Sequence, residues 1–258
     1  SIGEFLMMYQ YMAYFSDPIT TACAILMRYR ANMVHVARID KLSDDAKIPK
    51  ETKKYMTNTE NLFFTEKYDF YKGKEKTDFL FHIDKLKIKK GGLYVIKGEN
   101  GSGKSMFLNL LFGNVKLSFS RGGFILTDEM DEAAFLTYPI FTVDGDFMKN
   151  MYEIPIDKEL MHLLQVDFSN KEILSNPVNL SYGQQQKLAL LRVFGLNSPI
   201  LFLDEPLSNL DKKTQENVVA YIRKLKGEKT ILVVMHSDEL DEAADSVIYI
   251  ENKKLIQK

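Results

Sequence analysis

Gly98-Glu99-Asn100-Gly101-Ser102-Gly103-Lys104-Ser105 is the stretch of this chain best equipped for chemistry. Its spacing is G-x-x-x-x-G-K-S, with one further glycine inside. Glycines let successive backbone N–H groups turn inward around phosphate oxygens, and a helix starting there adds its positive end. Lys104 can reach the β- and γ-phosphates, and Ser105 can offer its hydroxyl to a magnesium ion. The apolar run Leu93-Tyr94-Val95-Ile96 precedes the loop and Met106-Phe107-Leu108 comes after it. That is the strand, loop, helix context the motif requires. The spacing predicts a nucleoside triphosphate site running from Gly98 to Met106.

A second group lies further along. Ile200-Leu201-Phe202-Leu203 reads as a buried strand that delivers Asp204 and Glu205 at its C-terminal end, where open α/β sheets bind ligands. Asp204 is placed to support magnesium, directly or through water. Glu205, one residue on, can orient and polarise an attacking water. Upstream, Leu180-Ser181-Tyr182-Gly183-Gln184 stands just ahead of a helix expected over 185–194. Downstream come Ser208-Asn209-Leu210-Asp211 and, after the apolar run 230–235, His236.

In this order, the phosphate loop, the L-S-x-G-Q phrase, the L-D-E-P strand, the S-N-L-D segment and the histidine resemble the motifs of ABC-type ATPases. The resemblance covers residues 61–258. It implies a phosphate-loop NTPase fold of the α/β class, with a RecA-like core, an antiparallel β part and an inserted α-helical subdomain at about 127–195. It also implies that two such domains meet head to tail around two ATP molecules, each with Mg2+ held through Ser105 and Asp204. Leu180, Ser181, Tyr182, Gly183 and Gln184 of one copy would then face the γ-phosphate bound by the other. On this resemblance Glu205 acts as base, His236 and Lys104 contact the γ-phosphate, and Ser208 and Asp211 couple the two sites. Tyr71 is expected to stack on adenine, with Phe70 as the neighbouring choice. His35, His82 and His162 are read as structural.

Two positions depart from the family pattern. Tyr182 stands where glycine is usual, which requires its side chain to point away from the nucleotide. No glutamine occurs from 106 to 164, although the family places one after the strand near Phe135-Leu136; Thr137 or Tyr138 stands there instead. A working but slow ATPase is the expectation.

Positioning these residues requires a sheet covered on both faces. The runs 93–96, 200–203, 230–235 and 247–250 are continuously apolar rather than alternating, as central strands between helical layers are. The 258 residues are 45% hydrophobic and 27% charged, enough for a substantial core. With 34 Lys plus Arg against 35 Asp plus Glu, no basic excess points to nucleic acid, so none is expected as a partner. One cysteine excludes an internal disulfide.

Residues 1–40 read differently. From Phe5 to Met27 there is one charge, Asp17, and aromatics crowd the first half. The length suffices to cross a bilayer core. Asp17-Pro18 interrupts it, so one kinked helix and two shorter ones are both readable. Arg28, Arg30 and Arg38 come next, as on the cytoplasmic side of a membrane helix. The polar stretch 41–60 reads as a linker. The chain begins with Ser1, which suggests a processed chain or a piece of a longer one. The segment resembles the last membrane helix of an ABC exporter, and Tyr14-Phe15-Ser16-Asp17-Pro18-Ile19 is similar to the corresponding phrase of bacterial peptide and bacteriocin exporters. That resemblance implies a membrane-domain partner, a cell-membrane location with the ATP-binding domain on the cytoplasmic side, and a peptide substrate. A soluble non-transport ABC switch and a regulatory module with little turnover are the rivals.

Overall fold

The computed structural model describes residues 60–72, 78–112, 117–118, 125–126, 132–136 and 138–258. The expected membrane-helix segment and nearly all of the linker lie outside these residues, as does Thr137.

Among the described residues ten strands form one sheet. Its antiparallel part holds β1 (Asn61–Lys72), β2 (Asp78–Lys89), β4 (Leu117–Ser118) and β5 (Ile125–Leu126), where β1 pairs with each of the other three. Its parallel part runs β9 (Ser246–Glu251), β3 (Leu93–Lys97), β8 (Thr230–Val234), β7 (Ile200–Asp204) and β6 (Ala134–Leu136). β10 (Lys254–Gln257) joins the two parts, antiparallel to β9 and parallel to β2. The described helices are α1 (Lys104–Phe112), α2 (Phe147–Asn150), α3 (Lys158–Leu163), α4 (Tyr182–Gly195) and α5 (Lys212–Leu225).

The continuous apolar runs have their physical reason here. Side chains alternate across a strand. Leu93 and Val95 of β3 therefore enter one core with Leu201, Leu203, Ile231 and Val233. Tyr94 and Ile96 enter the other with Ile200, Phe202, Leu232 and Val234. The first core is closed by α4, α5 and the 147–173 segment, the second by α1 and the β1–β2 pair. Both faces are covered, so neither can be polar. Burying one such Leu, Ile or Val contributes about 1.5–3 kcal/mol.

Local signals set the helix starts. Ser181 accepts from the Gln184 N–H while Gln184 Oε1 accepts from the Ser181 N–H, both at 3.2 Å, a capping box that carries α4 back to Tyr182. The helix thus begins three residues before the apolar pattern suggested. Within the stretch expected to be helical, residues 134–136 are a strand of the main sheet and the helices start at Phe147. Among the described residues no helix is long and apolar enough to cross a membrane.

Candidate functional site

β3 ends at Lys97 and α1 begins at Lys104, leaving the glycine loop at the C-terminal edge of the parallel strands. Gly103 has φ +100°, and a Cβ there would come within 2.7 Å of the Phe81 ring, so both conformation and space demand glycine. The Lys104 ammonium is buried in the loop, donating to the carbonyls of Gly98 at 2.9 Å and Glu99 at 3.0 Å. The loop is anchored from below. Lys97 forms ion pairs with Asp238 and Asp241, which ties the end of β3 to the segment just past His236. Burial alone would lower the Lys97 pKa, but the two carboxylates outweigh it and raise it.

β7 places Asp204 and Glu205 beside this loop. Asp204 is 7% exposed and its pKa is raised, chiefly by burial; the Ser105 hydroxyl and Lys104 pull the other way, while Glu205 adds to the rise. Its Oδ1 is buried and has no hydrogen-bond partner among the described residues. An orphaned carboxylate oxygen next to a serine hydroxyl is a fit donor pair for Mg2+, which uses one or two protein ligands and takes the rest from phosphate and water.

Glu205 sits at φ 48°, a conformation that non-glycine residues seldom adopt. Its N–H donates to the Val234 carbonyl at 3.2 Å. Its Oε1 lies 3.2 Å from His236 Nε2. Both side chains are about half exposed, facing out of the sheet edge. Base and γ-phosphate contact expected from the sequence are thus within hydrogen-bond reach of one another.

A cleft of about 790 Å³ adjoins the glycine loop, lined by Gly98 to Gly103 and Met106 on one side. Phe79, Tyr249 and the β9–β10 turn line the rest. In that turn Asn252 and Lys253 have φ 47° and 61°, as a two-residue hairpin connection requires. Lys253 Nζ lies 5.9 Å from the Phe79 ring centroid. Tyr71, the residue expected to stack on adenine, packs edge-to-face on Phe79 at 5.6 Å and is not among the lining residues. Phe70 is fully buried in the core. Phe79, brought to the cleft by the antiparallel register that sets it opposite Tyr71, lines it together with Phe81 and Tyr249.

The L-S-x-G-Q residues lead into α4, with Leu180 buried, Ser181 and Tyr182 exposed and Gly183 and Gln184 half-buried. Ser181 is spent on its cap, and Tyr182 is 75% exposed, its ring directed away from the core. Gly183 lies against the loop after β7: a Cβ there would stand 2.7 Å from the Asn209 carbonyl oxygen. His82, read as structural, bonds Asp69 at 2.6 Å and Asp84 at 3.0 Å.

Asp211 caps α5. It accepts from the Thr214 N–H at 3.0 Å and the Thr214 hydroxyl at 2.7 Å, and Lys187 lies 3.6 Å away. These bonds hold its pKa at about 2. The folded value lies below the unfolded 3.8, so the stabilisation is present above about pH 4 and is lost as pH falls towards 2. Asp211→Ala is expected to cost about 1 kcal/mol at pH 7, the worth of a helix cap. The gap from wild type should narrow between pH 4 and pH 2 in thermal melts followed by circular dichroism. A gap of constant size would show that the carboxylate charge is not its source.

A glycine loop opening onto a helix, a magnesium-competent aspartate, an adjoining glutamate and a histidine at one sheet edge define a phosphate-loop NTPase of the cassette class. Residues 81–208 match the family model described as ABC transporter. The chain belongs to this family of ATPases and comprises its ATP-binding domain. It is 31% identical over 192 residues to a probable ABC transporter ATP-binding/permease protein of Haemophilus influenzae, covering 66% of this chain and 35% of that protein. It is 31% identical over 198 residues to the ATP-dependent lipid A-core flippase of Neisseria meningitidis, covering 67% and 31%. The energy-coupling factor transporter ATP-binding protein EcfA2 of Staphylococcus epidermidis matches at 26%, covering 67% of this chain and 70% of that one. The chain thus spans about a third of the length of the first two relatives. A solved dimeric ATP-binding cassette, described as a post-hydrolysis state with ADP and Pi, superposes with a TM-score of 0.60 at 22% identity, over 76% of this chain and 97% of that one.

Proposed function

We propose that this chain is the ATP-hydrolysing motor domain of an ABC exporter, working as a pair of domains that ATP draws together head to tail. The observation that carries the reading is the division of the site. The glycine loop, Asp204, Glu205 and His236 converge at one sheet edge, whereas Ser181 and Tyr182 at the start of α4 are exposed and Gly183 lies against Asn209. A second copy can bring that helix end, with its free N–H groups and positive dipole, to a γ-phosphate. Ser208 and Asp211 lie on the loop that would connect the two sites.

In the reaction a water oxygen bonds to the γ-phosphorus as the bond to the β-bridging oxygen breaks, and ADP leaves. Glu205 takes the water proton and His236 holds the γ-phosphate beside it. Lys104 offsets charge on the β- and γ-phosphates. Ser105 and Asp204 would hold Mg2+, whose charge supports that of the phosphates. Phe79, with Tyr71 behind it, offers the base a flat apolar wall.

The exporter assignment rests on the N-terminal resemblance and on the ATP-binding/permease relative. It places the domain on the cytoplasmic side of the cell membrane, attached to a transmembrane partner, and the 14–19 phrase supports a peptide cargo. The test is the mass of the detergent-solubilised chain by light scattering. With Mg2+ and a non-hydrolysable ATP analogue it should double, and with ATP phosphate release should be saturable. A chain that stays monomeric overturns the paired mechanism. Stimulation of phosphate release by lipids and not by peptides would overturn the peptide assignment.

A further inference from the structure

Tyr138, two residues past β6, closes a ring of hydrogen bonds around the backbone of Glu205. Its phenol donates to Gln186 Oε1. With its one proton so used, the phenol oxygen accepts from the Ser208 hydroxyl at 2.7 Å. Gln186 Nε2 donates to the carbonyls of Pro206 at 2.9 Å and Glu205 at 3.3 Å. The Ser208 N–H donates to that same Glu205 carbonyl at 3.1 Å, completing the ring. Gln186 is fully buried, so its carboxamide has no water to fall back on. The ring joins the segment after β6, the helix that begins with the L-S-x-G-Q residues, and the loop between β7 and α5. At its centre is a residue whose φ of 48° persists only where neighbours hold it.

We propose that Tyr138 is a positioning residue for Glu205. Its phenol fixes the Gln186 carboxamide, the carboxamide fixes the 205–206 backbone, and that backbone aims the Glu205 carboxylate. The same phenol ties down Ser208, so a displacement of the segment after β6 is felt at the base and at the S-N-L-D loop together. The inference rests on the reading of Glu205 as the base of an ATPase.

The test uses the intact chain. Replacing Gln186 would remove a buried side chain and endanger the fold, whereas Tyr138 is 42% exposed and Tyr138→Phe takes away only the hydroxyl. Tyr138→Phe should lower kcat for ATP about tenfold while KM stays within about twofold, the signature of lost aim rather than lost binding. Ser208→Ala should act in the same direction. The double variant should fall no further than Tyr138→Phe alone, because both single changes break one shared ring. Backbone amides of 205–210 should exchange with deuterium about tenfold faster in Tyr138→Phe, with those of β3 unchanged. An unaltered kcat, multiplicative effects in the double variant, or 205–210 amides at the wild-type rate would each overturn the proposal. If wild type releases no phosphate, the ATPase reading fails and the exchange measurement still decides whether the ring holds this loop.

Discussion

Glu205→Gln is expected to lower the rate of ATP hydrolysis by roughly 100- to 10,000-fold, the range a positioned general base contributes. The substitution keeps the size and shape of the side chain and removes its ability to take a proton. Glutamine can still meet His236 Nε2, 3.2 Å from Oε1 in the native protein. The backbone bonds that hold position 205, from Gln186 and Ser208 to its carbonyl and from its N–H to Val234, do not involve the side chain. ATP affinity should therefore stay within about threefold, since Lys104 and the loop amides are untouched. Binding without cleavage traps the closed state, so the variant should run as an ATP-dependent dimer on size exclusion. Single-turnover phosphate release measures the chemical step directly. Full turnover in Glu205→Gln would refute its role as base and leave His236 as the group to examine.

Lys104→Ala attacks binding instead. The ammonium sits within the loop on the carbonyls of Gly98 and Glu99, and it is the cation the glycine loop holds within its own curve. A hydrogen bond to a charged group is worth about 1.5–3 kcal/mol, so the affinity for ATP should weaken about 10- to 100-fold in titration calorimetry. Hydrolysis should drop below detection, because the same charge serves the transition state. Arginine should not rescue it. The guanidinium is wider, planar and presents fixed donors, where the loop accommodates a compact ammonium. Wild-type affinity in Lys104→Ala would mean that the loop amides alone hold the phosphates.

The part of this site legible in the sequence is the part whose chemistry is local. Eight consecutive residues make the phosphate loop, because the groups that bind are backbone amides and need only the correct glycines. Asp204 and Glu205 were legible for a related reason: the four apolar residues Ile200 to Leu203 fit a strand covered on both faces, and the residues at its C-terminal end then emerge at the sheet edge. The three-residue spacing of Ser181 and Gln184 is likewise local, yet the apolar pattern places the helix start at 185 and only the structure shows the capping box.

Other features depend on which distant segments the folded sheet brings together. Phe79 reaches the cleft beside the glycine loop through the β1–β2 register, which sets it opposite Tyr71. Gln186 looks like one more polar residue in a Q-Q-Q run, yet it is buried and holds the Glu205 turn. Nothing near Tyr138 in the sequence indicates that its phenol bridges Gln186 and Ser208, 48 and 70 residues away. Lys97 likewise finds Asp238 and Asp241 only because β3 and β8 are neighbours.

By itself, then, the sequence determined that this protein has a phosphate cradle and a carboxylate pair at a strand end, since each is built from residues adjacent along the chain. Only the tertiary structure decided which rings line the cleft, what holds Glu205 in its left-handed turn and why Gly183 must lack a side chain. Those outcomes arise from close packing between segments tens of residues apart. A hydrogen bond of about 3 Å or a 2.7 Å approach to the Asn209 carbonyl is fixed by how whole elements stack and not by the residues next in line.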